Sequence, residues 1–114
     1  MPRFVTNHLR MHRRKSGLSQ RELAVLVGYK DQWQVSRHER SDTSPSLMIA
    51  LAYQAVFRIP VSEIFAGMHA TAAQTVEEKL KVLGRTMEGS DRNQRVAGVV
   101  ARKVQWIAQR QNRQ

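Results

Sequence analysis

A short polar stretch, KDQWQVSRHER, carries the side chains best suited to chemistry in this sequence. We expect a helix that starts at Asp31 and has Val35 as its buried centre, because the Asp31 carboxylate can accept the free N–H groups of Trp33 or Gln34 in the first turn. At about 100 degrees per residue, the opposite face of that helix collects polar side chains. Its expected members are Trp33, Ser36, Arg37 and Arg40, and Gln32 and Gln34 are expected to flank them. Glutamine can pair with an adenine edge and arginine with a guanine edge, so the pattern predicts a surface that reads base pairs in a major groove.

The helix that must position this surface is predicted directly before it. Ser19 and Glu22 form a capping box, in which the hydroxyl accepts a first-turn N–H and the carboxylate accepts the N–H of the cap. Three apolar residues at helical spacing are expected to face a core: Leu23, Ala24 and Val27. Gly28 supplies the left-handed conformation that ends a helix. The sequence therefore predicts two short helices joined by a tight turn.

Four runs of sequence extend this pattern: LRMHRRKSGLSQRELA, VSRHER, PSLMIALA and IPVSEIF. Together they resemble the Xre family of helix-turn-helix proteins, which includes phage repressors and Cro-like regulators, over roughly residues 6 to 66. The pairing of GLSQRELA with VSRHER is the specific part of the resemblance. It implies a helical bundle that binds double-stranded DNA through the second helix of the pair.

The resemblance also implies roles for individual residues. Gln20, directly after the capping serine, would hold a phosphate, and Arg13 would form a buried ion pair with Glu39 at the end of the reading helix. Further phosphate contacts are expected at Arg21, Lys30, Arg40 and Ser44. Gly28 and Glu39 are eleven positions apart, one more than in the better-known repressors, and the extra residue falls within 29–31. Arg37 lies on the Glu39 side of this insertion.

The charge of the chain favours a polyanionic partner. Its 114 residues include 19 Lys and Arg against nine Asp and Glu, which gives a net charge of +10 and a pI near 11.3. Neutralising phosphates releases counterions and so favours nucleic-acid binding, whereas a basic surface without a ligand is the alternative. The absence of cysteine excludes disulfides and thiolate metal sites. No apolar run approaches the roughly 20 residues of a membrane span, so we expect a soluble, cytoplasmic, nucleoid-associated protein.

Strand signals are nearly absent, since the sequence has no alternating β-branched stretch and no Asn-Gly or Asp-Gly hairpin. The expected fold class is therefore all-α: a five-helix, repressor-like bundle followed by a C-terminal extension of about two helices. His8 and His12 stand at i and i+4, a spacing that can bind zinc. No third ligand is signalled, so we expect neither a metal nor a cofactor.

The remaining helices of the bundle are placed by their end signals. The first is expected from Thr6 or Asn7 to Ser16, with Gly17 ending it. The fourth is expected to be capped by Thr43, Ser44 or Ser46, with Pro45 near its first position. Its expected core residues are Leu47, Leu51, Val56 and Phe57. A short last helix, Val61 to Phe65, is expected to close the bundle with Ile64 and Phe65.

The expected domains are residues 1–66 for DNA binding, 67–70 as a linker and 71–114 as a helical extension. Two helices are predicted in the extension, from 71 to about 88 and from 90 or 91 to about 111, with Gly89 and Ser90 in the turn. Each carries an apolar stripe, namely Ala72, Val76, Leu80, Leu83 and Met87 in the first, and Val96, Val100, Val104 and Ile107 in the second. These stripes must meet each other, the main domain or a second copy. We favour a homodimer formed through residues 71–111, and packing within the chain is the alternative.

No catalytic signature accompanies these features, because the sequence lacks a Gly-rich phosphate loop, paired carboxylates and a recognisable Ser/His/Asp grouping. We therefore expect a sequence-specific transcriptional regulator, a repressor that acts as a dimer on a near-palindromic operator, and not an enzyme. One alternative is an antitoxin whose extension covers a toxin protein while the front half represses its own promoter. Another is a helical adaptor that never reads DNA. An exposed Trp33 between two glutamines argues against the adaptor.

Overall fold

The computed structural model describes residues 7–88 and 94–111, and within them it contains helices and no strand. The helices are α1 Leu9–Ser16, α2 Gln20–Val27, α3 Trp33–Glu39, α4 Leu47–Phe57, α5 Val61–Ile64, α6 Ala66–Glu88 and α7 Gln94–Gln111. The expected class, a bundle of five short helices with a two-helix extension, is confirmed. The expected helix start at Thr6 and the turn at Gly89 and Ser90 lie outside the described residues.

Local signals set the ends of the first two helices as expected. The Ser19 hydroxyl accepts a hydrogen bond from the Glu22 N–H at 3.0 Å, and the Glu22 carboxylate accepts one from the Ser19 N–H at 2.9 Å. Gly17 and Gly28 end α1 and α2 with φ of 81° and 101°, a region that residues with a Cβ rarely adopt. Because both ends of α2 are fixed, the turn that leads into α3 starts from a defined direction.

A single core joins the first five helices. Its buried members are Leu9, Leu23, Ala24, Val27, Val35, Tyr53, Ile64 and Phe65. The expected inward face of α2 and the expected plug at the end of α5 are confirmed. Full burial of a valine side chain, such as that of Val35, contributes about 1.5 to 3 kcal/mol to stability. Val35 therefore anchors α3, which packs against α1 and α2.

The expected core face of α4 is wrong in part. Leu47 is 75% exposed and Leu51 is 45% exposed, whereas Ala50 and Tyr53 are the buried residues of this helix. The cause is that α4 contains no charged residue, so apolar side chains surround it and the pattern does not mark an inner face. Its cap is Ser46, whose hydroxyl accepts from the Ile49 N–H at 3.3 Å. Pro45 precedes this cap instead of lying in the first turn.

The chain divides into two compact units, Met1–Thr71 and Ala72–Gln114, and α6 spans the boundary between them. The expected start of this helix at Thr71 is wrong, because α6 begins at Ala66 and includes residues 67–70. The His69 N–H donates to the Phe65 carbonyl at 2.9 Å, so the helical hydrogen bonds begin directly after α5. Alanine and methionine are good helix formers, and a single glycine at position 67 is not enough to break the helix.

The second unit contains most of α6 together with α7. Arg110 Nη1 donates to Glu77 Oε1 at 2.6 Å, which joins the two helices. Met87 is buried, and Leu80, Val100 and Ile107 are half-buried. The other large apolar side chains described in this unit remain exposed: Val76, Val82, Leu83, Val99, Val104 and Trp106. Ala72 of the first stripe is also exposed. The stripes thus meet only partly, and the side chain of Val96 lies outside the description.

Candidate nucleic-acid interface

Helix α3 has one buried side and one polar, exposed side. Val35 is fully buried, whereas Trp33 is 66% exposed and Gln34 and Arg37 are also exposed. Gln32 is exposed directly before the helix, and Ser36 is half-buried. The structure therefore places the five side chains expected to read bases on or beside the outward surface of one short helix.

The start of α3 differs by two residues from the sequence expectation. The helix begins at Trp33 with Gln32 at its cap position, whereas the sequence predicts a start at Asp31. Asp31 nevertheless acts on this turn, because its Oδ1 accepts a hydrogen bond from the Trp33 N–H at 3.1 Å. A carboxylate that accepts a first-turn N–H favours the helix start and orients the residues that follow.

The structure brings Arg13 and Glu39 together at the other end of α3. Arg13 Nε donates to Glu39 Oε2 at 2.5 Å, and Arg13 Nη2 donates to Glu39 Oε1 at 3.2 Å. The side chains are 12% and 2% exposed. Arg13 Nη1 also donates to the Leu18 carbonyl at 3.0 Å. This two-pronged pair fastens the end of α3 to α1 and to the loop before α2.

Gln20 is the residue whose surroundings differ most from the role that the resemblance implies. Its Nε2 donates to Glu39 Oε1 at 3.0 Å, so one of its two amide N–H groups is used inside the protein. Only the second N–H is left to meet a phosphate. Gln20 therefore links α2 to the Arg13–Glu39 pair in the structure.

The other residues expected to contact phosphate surround α3. Arg21 and Lys30 are exposed, the former in the first turn of α2 and the latter in the turn before α3. Arg40 Nε donates to Asp42 Oδ2 at 2.9 Å, an exposed ion pair of the kind that contributes little to stability and is easily exchanged for another anion. Ser44 is exposed in the loop before α4. Among these residues, Arg21, Lys30 and Arg40 place positive charge at the margin of the reading surface.

Helix α3 also carries a buried polar side chain, His38, which is not among the buried residues predicted from the sequence. His38 is 3% exposed, and its Nδ1 shares a 2.8 Å hydrogen bond with the hydroxyl of Tyr53 on α4. Burial lowers the pKa of the His38 imidazole and raises the pKa of the Tyr53 hydroxyl, so both groups are neutral near pH 7. Helical spacing does indicate this burial, because His38 lies three residues after Val35 and therefore on the same helix face.

Asn7 completes this buried group from the segment before α1. Its Nδ2 donates to the His38 carbonyl at 2.8 Å and to the Ser41 hydroxyl at 3.0 Å. Its Oδ1 accepts from the Leu9 N–H at 2.9 Å and so satisfies the start of α1. By contrast, the two other histidines of this region, His8 and His12, share no site, and His12 packs against the Phe57 ring at 6.2 Å. Within residues 7–88 and 94–111, no group of three potential metal ligands lies together.

The arrangement of α2, its glycine turn and α3 is that of a helix-turn-helix unit with an outward recognition helix. A family model described as helix-turn-helix matches residues 9–64. This match supports the assignment of residues 9–64 to the Xre-like helix-turn-helix family, whose general class is that of DNA-binding transcriptional regulators. Searches of curated proteins and of solved structures returned no significant match. Within the described residues, no helix is both long and apolar enough to cross a bilayer.

Proposed function

We propose that this protein represses transcription by binding a near-palindromic operator as a dimer, with α3 of each copy in a major groove. The observation that carries the proposal is the polar face of α3, exposed at Trp33, Gln34 and Arg37 while Val35 and Glu39 hold its other side. A helix fits the major groove, and glutamine and arginine supply the paired hydrogen bonds that distinguish bases there. Repression follows if the bound dimer excludes RNA polymerase from the promoter.

The proposed contacts divide into two classes. Base reading is assigned to Gln32, Trp33, Gln34, Ser36 and Arg37. Phosphate contact is assigned to Gln20, Arg21, Lys30, Arg40 and Ser44. The first class lies on or directly before α3, and the second lies around its margin. Contacts to phosphate fix the register of a protein on the duplex, whereas contacts to base edges carry the sequence information.

The dimer is proposed to form through residues 71–111. Support comes from the apolar side chains that α6 and α7 leave exposed, among them Val76, Leu83 and Val104. Two helices that leave such side chains in water gain free energy when a second copy covers them. On a two-fold symmetric operator, the two copies of α3 are proposed to occupy half-sites about one turn of the DNA helix apart.

An antitoxin function rests on the same exposed side chains of α6 and α7, with a toxin protein in place of the second copy. The two functions differ in what the purified chain does alone. A repressor dimer forms from this chain without any other protein. An antitoxin whose extension exists to cover a toxin stays monomeric until that toxin is added.

The two classes of contact can be separated by one pair of substitutions. Arg37→Ala is expected to cost about 1 to 3 kcal/mol on a duplex selected by the wild-type protein and to relax the sequence choice. Lys30→Ala is expected to weaken binding to every duplex and to reduce the slope of log K against log salt by about one. Fluorescence anisotropy on the selected duplex and on a scrambled duplex, each over a salt series, measures both effects. Identical behaviour of the two variants would refute the division.

A further inference from the structure

Helix α3 is too short to be stable in a fixed orientation without contacts to the rest of the protein. It has only seven residues, and isolated helices below about 12 to 15 residues are marginal in water. Its cap residue Gln32 makes no side-chain capping bond, and the Asp31 hydrogen bond fixes the first turn alone. The angle at which α3 presents its polar face must therefore come from tertiary contacts along its inner side.

Part of that inner side is polar. His38 lies on the inner face of α3, and its imidazole is bonded to Tyr53, which is fully buried on α4. The backbone carbonyl of His38 accepts a hydrogen bond from Asn7 Nδ2. Asn7 and Ser41 are 8% and 5% exposed, so this chain of hydrogen bonds is shielded from water. Apolar contacts tolerate sliding, whereas hydrogen bonds at fixed distance and angle allow one arrangement.

Two aromatic rings contact the imidazole, and a third ring packs against one of them. The ring of His38 meets Tyr53 nearly edge-on with centroids 5.8 Å apart, and it meets Tyr29 at 6.2 Å. Tyr53 in turn packs against Phe65 with centroids 6.2 Å apart. The imidazole is thus fixed between the turn before α3 and the core under α4 and α5.

We propose that the buried chain Asn7–His38–Tyr53 sets the angle of α3, and that these three are positioning residues for sequence recognition although none of them lies on the reading face. The inference rests on the proposed function, because the angle of α3 matters to DNA only if α3 enters a groove. Its chemical content is specific. One hydroxyl and one amide, buried on the far side of the helix, determine how well Arg37 and Gln34 meet base edges.

Two substitutions remove these bonds with little change of shape. Tyr53→Phe keeps the ring and deletes the hydroxyl that His38 Nδ1 meets. Asn7→Asp keeps the oxygen that accepts from the Leu9 N–H and deletes both donated bonds, so α1 can still start normally. The matched control is Tyr29→Phe, which deletes a phenol hydroxyl from a ring that also touches His38 but is not the ring bonded to its Nδ1.

The first measurement needs no DNA. Amide hydrogen exchange of the full-length chain reports the opening of α3 relative to α2 in the same molecule. Loss of one net hydrogen bond in Tyr53→Phe is expected to speed exchange in residues 33–41 about fivefold, and loss of two in Asn7→Asp at least as much, with residues 20–27 unchanged in both variants. Tyr29→Phe is expected to leave both segments at the wild-type rate. Equal acceleration of both segments in Tyr53→Phe and Asn7→Asp would show a general loss of stability and would overturn the inference.

The second measurement uses two probes, a duplex enriched from a random pool by the wild-type protein and a scrambled duplex of the same composition. Tyr53→Phe and Asn7→Asp are expected to lower the ratio of affinities between the two duplexes about three- to tenfold, while Tyr29→Phe preserves it. If the wild-type protein enriches no motif, the proposed function fails and the inference fails with it. If it enriches a motif and both variants keep the wild-type ratio, the inference alone is overturned and DNA reading stands.

Discussion

Two arginine–glutamate ion pairs join helices within the described residues, one in each compact unit, and their surroundings differ. Arg13 and Glu39 in the first unit are 12% and 2% exposed and make two hydrogen bonds to each other. Arg110 and Glu77 in the second unit are 31% and 45% exposed and make one. The first pair lies beside a core of eight buried residues. Among the described side chains of the second unit, Met87 alone is classed as buried.

The two units obtain their stability in different ways. The first unit also leaves apolar side chains such as Leu47 and Met48 exposed, but it encloses a core of eight apolar residues and a satisfied polar network, so it has what it needs to hold α3 in place. The second unit leaves apolar side chains exposed on both helices, and two helices with so little buried surface are marginal alone. We therefore expect the first unit to recognise DNA and the second to be completed by another copy.

Removal of the second unit should produce the largest effect, which is a loss of affinity for the full operator. A chain truncated after Thr71 keeps Met68, which packs against the core, and is expected to fold as a monomer. Because two linked half-site contacts give an affinity about 10²- to 10⁴-fold above one, its binding to a full operator should fall by that factor. Sedimentation and duplex binding of both chains measure this. Two monomers of equal affinity would refute the dimer.

The two ion pairs should differ by several kcal/mol when their arginines are removed. Arg13→Ala leaves Glu39 buried without its charged partner, with only the Gln20 amide still donating to it, which is expected to cost about 3 to 5 kcal/mol of unfolding free energy. Arg110→Ala breaks an exposed pair and is expected to cost about 0 to 1 kcal/mol. Arg14→Ala, on the exposed side of α1, serves as the control for lost charge. Urea titrations give all three values, and equal shifts for Arg13→Ala and Arg14→Ala would contradict the buried pair.

The smallest effect we expect is a pH dependence of stability that arises in the first unit. Burial holds the pKa of His38 below its ordinary value of 6.5, with Tyr53 and Tyr29 as its titratable ring neighbours. The unfolded chain therefore binds a proton at higher pH than the folded chain does. This contribution to stability is fully present above pH about 6.5 and is lost as the pH falls through the folded value.

Unfolding titrations at several pH values test this dependence. His38→Asn offers an amide near the position of Nδ1 and cannot titrate. In this variant, the unfolding free energy should therefore lose its dependence on pH below neutrality. His8→Asn, at an exposed position, should keep it. A wild-type slope that His38→Asn leaves unchanged would show that another group is responsible.

The sequence predicted those features that depend on neighbours along the chain. The capping box of Ser19 and Glu22, the glycine end of α2 and the inward position of Val35 each follow from residues within one or two turns. The buried face of α4 could not be predicted, because a helix without charges gives no contrast between Leu47 and Tyr53. The His38–Tyr53 bond joins residues fifteen positions apart, so only the packing of α3 on α4 reveals it.

The most direct measurement is selection from a pool of random duplexes by the full-length protein, followed by sequencing, with Arg37→Ala processed in parallel. We expect the wild-type protein to enrich two inverted half-sites about 10 to 10.5 base pairs apart. Arg37→Ala should lose the preference at one position in each half-site while still retaining DNA. A pool with no enriched motif, or identical motifs for both proteins, would contradict the assignment of the exposed face of α3 to base recognition.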